Sequence, residues 1–545
     1  MLTRRKALQL LSTLPVGGLM VGQLAANDRK TPVQDSLATT LKNREAQDGE
    51  NIFRSLGVEP VINCRGTFTI IGGSIEHDHV KQSMRRASNN FVQYDELAFG
   101  IAERLAELTG AEYGMISAGC AAALKHVTAG CVTGGNPEKL VRIPDLTGFE
   151  KTQVIMPRRS RNAYDHAIRN IGVEIINVET VEELEKAIGP KTALVCVMSF
   201  QDDELSAANI SSITKRHGVP LLVDAAAENM TIPNVHLEAG ADVVAYSGGK
   251  AMNGPQCAGV ILGRKDIVKA AWQASSPHHG PGRDNKVGRE EMIGGMAAVE
   301  AWIMRDHDAE WQRWLGWLNN IGEHLSTING ITYEISEPEG LGNKTPRLNV
   351  MWNPNQFHIT GDEVAEIVGR SKPRIALGGR GGDDNMTSIS ITSGQMQPGE
   401  DEIVKNRLYE VLSERRQPKQ PMRRPGGDLT GRWNVDISYF LSNSNHTITL
   451  EKQDGNWVYG SHKGDFTTRD IAGTIEGNEI KLVSVERKPG NSVPNYFIGE
   501  LNGNQFSGRL FMGEYLNASY VASKHMHDDG DREPIMVPDG PPLAT

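Results

Sequence analysis

Residues 220–259 read PLLVDAAAENMTIPNVHLEAGADVVAYSGGKAMNGPQCAG. Two short apolar runs, 220–223 and 243–246, have the length and composition of buried parallel strands. The first ends at Asp224, the second at Ser247-Gly248-Gly249-Lys250. In an open α/β sheet the carboxyl ends of neighbouring strands share one crevice, so Asp224 and Lys250 can face one ligand. An acid to pair with a pyridinium nitrogen and a lysine to form a Schiff base are what pyridoxal phosphate requires of a protein. Small residues around Lys250 would let a bulky cofactor approach the backbone. Taken alone, the pair has a plainer reading, because strand-terminal Asp and Lys also serve as caps and surface charges.

Upstream of this stretch, strands and helices alternate. Strands are expected at 58–63, 112–116, 152–156, 173–178 and 193–198, and helices at 77–88, 97–108, 181–188 and 210–217. Thr180 is placed to cap the third of these helices. Such alternation argues for a mostly parallel sheet. Ser117-Ala118-Gly119-Cys120 joins a strand to the small-residue helix start 121–123. Exposed N–H groups and the helix dipole favour a phosphate at such a start, although the same residues could simply cap a packed helix.

Downstream, 260–262 is read as a further strand and 265–274 as a helix. The loop 275–287, SSPHHGPGRDNKV, has the composition of one that closes over a site. Helical periodicity runs from 289 to 325 with Trp302, Trp311, Trp314 and Trp317, read as packing residues. Residues 330–415 suit a smaller α+β lobe. The segment 417–427, QPKQPMRRPGG, is a linker. Beyond it come about eight short alternating runs, separated by hairpin signals at Asp454-Gly455-Asn456, Glu476-Gly477-Asn478 and Asn502-Gly503-Asn504. They imply an antiparallel barrel or sandwich.

A chain of 545 residues exceeds one ordinary domain. The division read here is an export signal over 1–26, a linker over 27–50, a large domain over 51–300 and a small lobe over 301–416. The linker 417–427, an all-β domain over 428–524 and a polar tail over 525–545 complete it. Thr3-Arg4-Arg5-Lys6 ahead of a modest apolar run suggests the twin-arginine route, hence a periplasmic or cell-envelope setting. The alternatives are a Sec signal or a retained anchor; no other stretch is apolar enough to span a membrane. The net charge of −10 argues against nucleic acid as the main partner. Five cysteines without a C-x-x-C pair argue against a disulfide framework or a structural zinc site.

The blocks GVEPVINCRGTFTIIGG (57–73), LAELTGAEYGMISAGCAAAL (105–124), VPLLVDAAAE (219–228), DVVAYSGGKAMNGPQCAG (242–259) and KVGREE (286–291) together resemble one family. They are similar to fold-type I pyridoxal-phosphate enzymes, in the branch of bacterial selenocysteine synthase and D-glucosaminate-6-phosphate ammonia-lyase. The resemblance covers about residues 51–415. It implies a transferase-like large domain and small lobe, homo-oligomers whose subunits complete each other's sites, and the appended β domain as an addition. It implies Lys250 as the Schiff-base lysine and Asp224 as the partner of the ring nitrogen. Ser117, Ala118, Gly119 and Cys120 would form the phosphate turn, with Ser247 a further phosphate ligand and Gln256 shaping the pocket. His166 is a candidate to stack on the ring. Arg65, Arg161, Arg283 and Arg374 are candidates for a substrate anion, because guanidinium grips carboxylate or phosphate bidentately. The expected activity is a lyase that removes the Cα proton of an amino acid or amino sugar acid, eliminates a β-substituent, and yields a 2-oxo product and ammonia. Transamination, aldol cleavage, β-replacement and a non-catalytic binding role are the alternatives. The short, non-basic 27–50 segment and the export signal argue against work on tRNA.

Overall fold

The computed structural model describes residues 51–199, 203–383, 385–485 and 492–526. The expected export signal, the 27–50 linker and the tail from 527 onward lie outside the described residues. For the described residues, the chain divides into two compact units between Lys419 and Gln420.

After the short helix Ile52–Ser55 the larger unit forms β1 (Val61–Asn63), and further along it builds a seven-stranded sheet. Its strands are β2 (Tyr113–Ala118), β3 (Gln153–Pro157), β4 (Glu174–Val178), β5 (Thr192–Met198), β6 (Leu221–Asp224), β7 (Val243–Ser247) and β8 (Ala258–Gly263). The spatial order is β2-β8-β7-β6-β5-β3-β4. Neighbours from β4 to β7 pair in parallel, while β8 runs antiparallel to both β7 and β2. Strands β6 and β8 are buried along their whole length, the pattern of a sheet covered on both faces. The helix Cys120–Thr133 is buried on nearly every side, which is why its residues are almost all small or apolar. Thr180 caps the helix Val181–Ala187 by accepting from the Glu183 N–H.

The periodic segment 289–325 is two helices, Arg289–Met304 and His307–Leu325, and not one. The break falls at Arg305-Asp306, where the Asp306 side chain accepts from the Ala309 N–H and starts the second helix. Both helices keep an apolar face, so periodicity alone runs through the break.

The second lobe is an antiparallel sheet of β9 (Thr332–Ser336), β10 (Arg347–Trp352), β12 (Gly378–Arg380) and β13 (Thr387–Thr392), in the order β12-β13-β10-β9. The helices Gly361–Arg370 and Glu400–Ser413 belong to the same lobe. Strand β11 (Arg374–Ala376) leaves this sheet and pairs in parallel with β1. Ile62 and Cys64 accordingly pack into the second lobe's core, although they precede the large sheet in the chain.

The smaller unit is a closed barrel of eight antiparallel strands: β14 (Gly431–Ser438), β15 (Asn443–Asp454), β16 (Trp457–Lys463), β17 (Thr468–Glu476), β18 (Glu479–Ser484), β19 (Asn495–Asn502), β20 (Gln505–Met512) and β21 (Tyr515–Lys524). Pairing of β14 with β21 closes it. Gly455, Gly477 and Gly503 sit at φ of 60°, 55° and 59°, the left-handed backbone that tight hairpins require. Trp433, Phe497 and Phe506 fill the interior. Inside the barrel two histidines meet: His446 Nδ1 lies 3.0 Å from His462 Nε2, and His462 Nδ1 lies 3.0 Å from Ser484 Oγ.

Burial pushes the His462 imidazole down from its ordinary 6.5 to about 3. Below the ordinary value the unfolded chain takes up a proton that the folded barrel refuses. Stability is therefore whole above about pH 6.5 and declines as pH falls toward the folded value. The barrel should lose about 2 kcal/mol between about pH 7.5 and pH 5, and His462→Gln should flatten that slope. Urea midpoints of the barrel strands, followed by pulsed hydrogen exchange, measure both; equal slopes in the two proteins refute the assignment.

Candidate active site

Strands β6 and β7 are parallel neighbours, and β2 runs in their direction because both β2 and β7 oppose β8. The carboxyl ends of β2, β6 and β7 therefore share one edge of the sheet. Three features meet there: Asp224 closing β6, the turn that carries Lys250 after β7, and the start of the helix Cys120–Thr133 after β2.

Asp224 is buried and forms no ion pair among the described residues. Its Oδ1 accepts from the Ala226 N–H at 3.1 Å and from the Cys120 thiol, with Sγ at 3.6 Å. Burial raises its pKa, outweighing the Ala226 N–H and the nearby Lys250 charge, which both act to lower it. The Lys250 ammonium stands 6.0 Å from the centroid of the Tyr164 ring.

The Lys250 turn is held by backbone packing. Gly248 N–H donates to the Ala258 carbonyl at 2.8 Å, and Gly254 N–H to the Gly248 carbonyl at 2.8 Å. A Cβ on Gly249 would lie 2.5 Å from Gln256 Cα, and one on Gly254 would lie 2.6 Å from Ala298 Cβ. These glycines admit neighbouring protein atoms, where the sequence suggested room for a cofactor. Arg305 secures the far side, donating to the carbonyls of Ala251 at 3.0 Å and Met252 at 3.1 Å.

The turn at 117–120 divides its labour differently from expectation. The Ser117 hydroxyl is fully buried and donates to the Gly119 carbonyl at 3.0 Å, so it braces the turn. The Cys120 thiol points to Asp224. Gly119 takes φ of 86°, and no side chain caps the helix that follows. An anion at this turn would meet the backbone N–H groups of the first helical turn. Gly259 lets the strands close here, since a Cβ on it would lie 2.4 Å from the Gly119 carbonyl carbon.

The remaining predicted residues separate. Ser247 ends β7 half-buried, with its carbonyl accepting from the Lys250 N–H at 3.3 Å. Gln256 donates to the Thr69 carbonyl at 3.1 Å and so positions the 68–73 segment. His166 begins the short helix His166–Arg169 and is exposed; the ring that faces Lys250 is Tyr164, two residues earlier. Arg161 is committed to Asp165 at 2.5 Å and Asn177 at 2.7 Å. Arg283 is held by the Ser276 hydroxyl at 2.8 Å, and Arg374 by the Gly369 carbonyl at 2.9 Å. Arg65 alone of the four predicted arginines lines the cavity that opens in front of Lys250.

That cavity has a volume of about 880 Å³ and lies within the larger unit. Arg347, which motif reading passed over, also lines it. Arg347 stands in register with Thr392, whose N–H and hydroxyl both bond to the Cys64 carbonyl next to Arg65. Asp224 and the 117–120 turn are not among its lining residues, so Lys250 stands where the cavity meets the strand ends.

A lone buried carboxyl suits a protonated ring nitrogen, a lysine amine suits a carbonyl, and an uncapped helix start suits a phosphate. The ring nitrogen, the aldehyde and the phosphate are three of the polar groups of pyridoxal phosphate. Comparison with known proteins agrees. Residues 77–325 match the family described as Cys/Met metabolism PLP-dependent enzyme. D-glucosaminate-6-phosphate ammonia lyase from Salmonella typhimurium is 31% identical over 66% of this chain and 98% of its own length. The 5'-C-glycyluridine monooxygenase-decarboxylase of a Streptomyces species is 25% identical over 66% of this chain and 92% of its own. L-seryl-tRNA(Sec) selenium transferase from Moorella thermoacetica is 29% identical over 44% of this chain and 54% of its own. A solved structure of D-glucosaminate-6-phosphate ammonia-lyase superposes with a TM-score of 0.59 at 28% identity, covering 67% of this chain and 99% of that one.

Gly249→Ala should move the Lys250 turn at a cost of about 1–3 kcal/mol, because the intruding Cβ meets backbone. The purified variant should keep its far-ultraviolet circular dichroism and lose most of the visible absorbance of bound cofactor. Full cofactor retention would refute the packing argument.

Proposed function

We propose, from the premise that this chain belongs to the pyridoxal-phosphate-dependent enzymes of the D-glucosaminate-6-phosphate ammonia-lyase branch, that it is an α,β-eliminating lyase. Its substrate class is a β-hydroxy amino acid or an amino sugar acid, and its products are a 2-oxo acid and ammonia. The observation that carries this reading is the pairing of Asp224 and Lys250 at adjacent strand ends, with Lys250 at the mouth of a cavity lined by Arg65 and Arg347.

Pyridoxal 5'-phosphate is the cofactor, and when bound it withdraws electrons from the substrate's Cα. In this proposal Lys250 would hold the cofactor through its carbonyl carbon and would serve as the base for the Cα proton. Asp224 would keep the proton on the ring nitrogen. The N–H groups at 120–122 would hold the phosphate, with Ser247 beside them. Arg65 and Arg347 grip the substrate carboxylate and fix which Cα bond faces Lys250. Loss of the Cα proton and the β-hydroxyl releases water. The freed enamine tautomerises and takes up water to give the 2-oxo acid and ammonia.

The Streptomyces relative, a monooxygenase-decarboxylase by name, supports a second reading in which bond breaking at the same carbon takes a different course. Release of carbon dioxide with consumption of oxygen distinguishes it from release of ammonia and a 2-oxo acid. Export through the segment 1–26 and assembly as a homo-oligomer belong to this proposal. Fractionation of the native cells and light scattering of the purified protein test them.

The decisive experiment is a screen of D- and L-hydroxyamino acids and amino sugar acids for coupled release of ammonia and 2-oxo acid. Lys250→Ala should abolish turnover and the covalent cofactor absorbance together. Turnover unchanged in Lys250→Ala rejects the reading. Arg65→Ala should raise KM about tenfold or more while the cofactor spectrum stays as in the parent protein. An unchanged KM removes Arg65 from the site.

A further inference from the structure

The cavity in front of Lys250 has a wall that the lyase reading leaves unused. At about 880 Å³ it falls near the top of the range for small-molecule sites, roughly 300–1,000 Å³. The first turns of the helix His307–Leu325 bring Asp308, Trp311 and Trp314 to its surface at three-residue spacing. Trp311 Nε1 donates to Glu337 Oε2 at 2.7 Å, which fixes the indole plane. The Trp311 and Trp314 ring centroids lie 6.2 Å apart, with planes inclined by 58°.

Glu337 and Glu339 come from the segment between β9 and β10. That segment is tied to the turn after Asp224 by Asn229 N–H to the Leu341 carbonyl, 3.0 Å, and Asn343 N–H to the Ala227 carbonyl, 2.8 Å. The wall is thus in fixed register with the strand ends. Asp308, Glu337 and Glu339 form no ion pair among the described residues, whereas Glu310 is engaged by Arg305 at 3.5 Å. Arg305 also lines the cavity; its side chain is 8% exposed, and its Nε has no hydrogen-bond partner among the described residues. That Nε is buried, and the Nη atoms are spent on the carbonyls of Ala251 and Met252, so Arg305 shapes the wall and offers it no free donor.

We propose that this wall is a saccharide subsite, and that the substrate presents an unphosphorylated, hydroxyl-rich sugar portion to it. Indole faces pack on the C–H surfaces of saccharides, cyclic or open-chain, and the fixed carboxylates accept hydrogen bonds from hydroxyls. Asp308, Glu337 and Glu339 outnumber Lys344 on this wall and oppose a phosphate dianion placed among them. For its reacting end the inference rests on the lyase reading; the wall stands independently of it.

Cellobiose separates the two, because it has neither amine nor carboxylate and cannot enter the chemistry. The full-length holoenzyme should bind cellobiose with a saturable change in tryptophan fluorescence. Trp311→Ala should weaken binding about tenfold or more, and Trp311→Phe should restore part of it, with the cofactor absorbance equal in all three. Unphosphorylated D-glucosaminate should bind about tenfold or more tightly than its 6-phosphate in the same assay. Absence of a saturable cellobiose response, an equal response in Trp311→Ala, or tighter binding of the 6-phosphate overturns the subsite. Cellobiose binding without turnover of any hydroxyamino or amino sugar acid sinks the lyase reading and leaves the subsite standing.

Discussion

Asp224 is a carboxyl group buried at the end of a central strand with no cation paired to it among the described residues. Such a group costs several kcal/mol unless hydrogen bonds or an opposite charge compensate it. The fold supplies part of the compensation through the Ala226 N–H and the Cys120 thiol. The remainder is left to a cationic ligand, so cofactor binding and folding stability are linked. Much of the surrounding structure follows from this constraint. Strand β6 must be short and wholly buried, its neighbours must be parallel so that their ends converge, and the thiol that meets Asp224 must start a helix packed into the core.

Glycine has a second meaning in this site. Read as a string, Ser-Gly-Gly-Lys suggests space reserved for a ligand. In three dimensions the space at Gly249, Gly254 and Gly259 is already taken by Gln256 Cα, Ala298 Cβ and the Gly119 carbonyl. Close approach of backbone to backbone locks the Lys250 turn against the next strand and holds the 117–120 turn against β8. Rigidity of this kind places an amine where a reaction needs it.

The strands that carry the chemistry were legible because buried parallel strands are unbroken apolar runs, and their ends are marked by the first polar residue. The barrel was legible for another reason: its hairpins need left-handed glycines, and three Gly-Asn turns announce them. Periodicity reports burial but not the partner. It therefore missed the pairing of β1 with β11, the reversed direction of β8 and the break at Arg305-Asp306. Side-chain commitments were invisible in the same way. Arg161 and Arg374 have the right chemistry for an anion, but Asp165, Asn177 and the Gly369 carbonyl already occupy them. Tyr164 rather than His166 meets Lys250, because a short turn of 3₁₀ helix, Ala163–Asp165, lies between the strand and the helix.

Chemistry and selectivity come from different parts of the chain. The groups that would handle the cofactor fall within 117–256, on the ends of strands whose positions the sheet dictates. The cavity wall comes from 302–347, across a helix break and a connection between two antiparallel strands. The two regions are joined by backbone hydrogen bonds at 227–229, by Trp302 Nε1 donating to the Met230 carbonyl at 2.9 Å and by the Arg305 clamp, so substitutions elsewhere in the second region change what fits while Asp224 and Lys250 stay in place. A fold divided in this way can keep one mode of Cα activation while its substrates differ. That division explains how a chain so plainly built around one cofactor can carry an aromatic and acidic wall that the cofactor itself does not require.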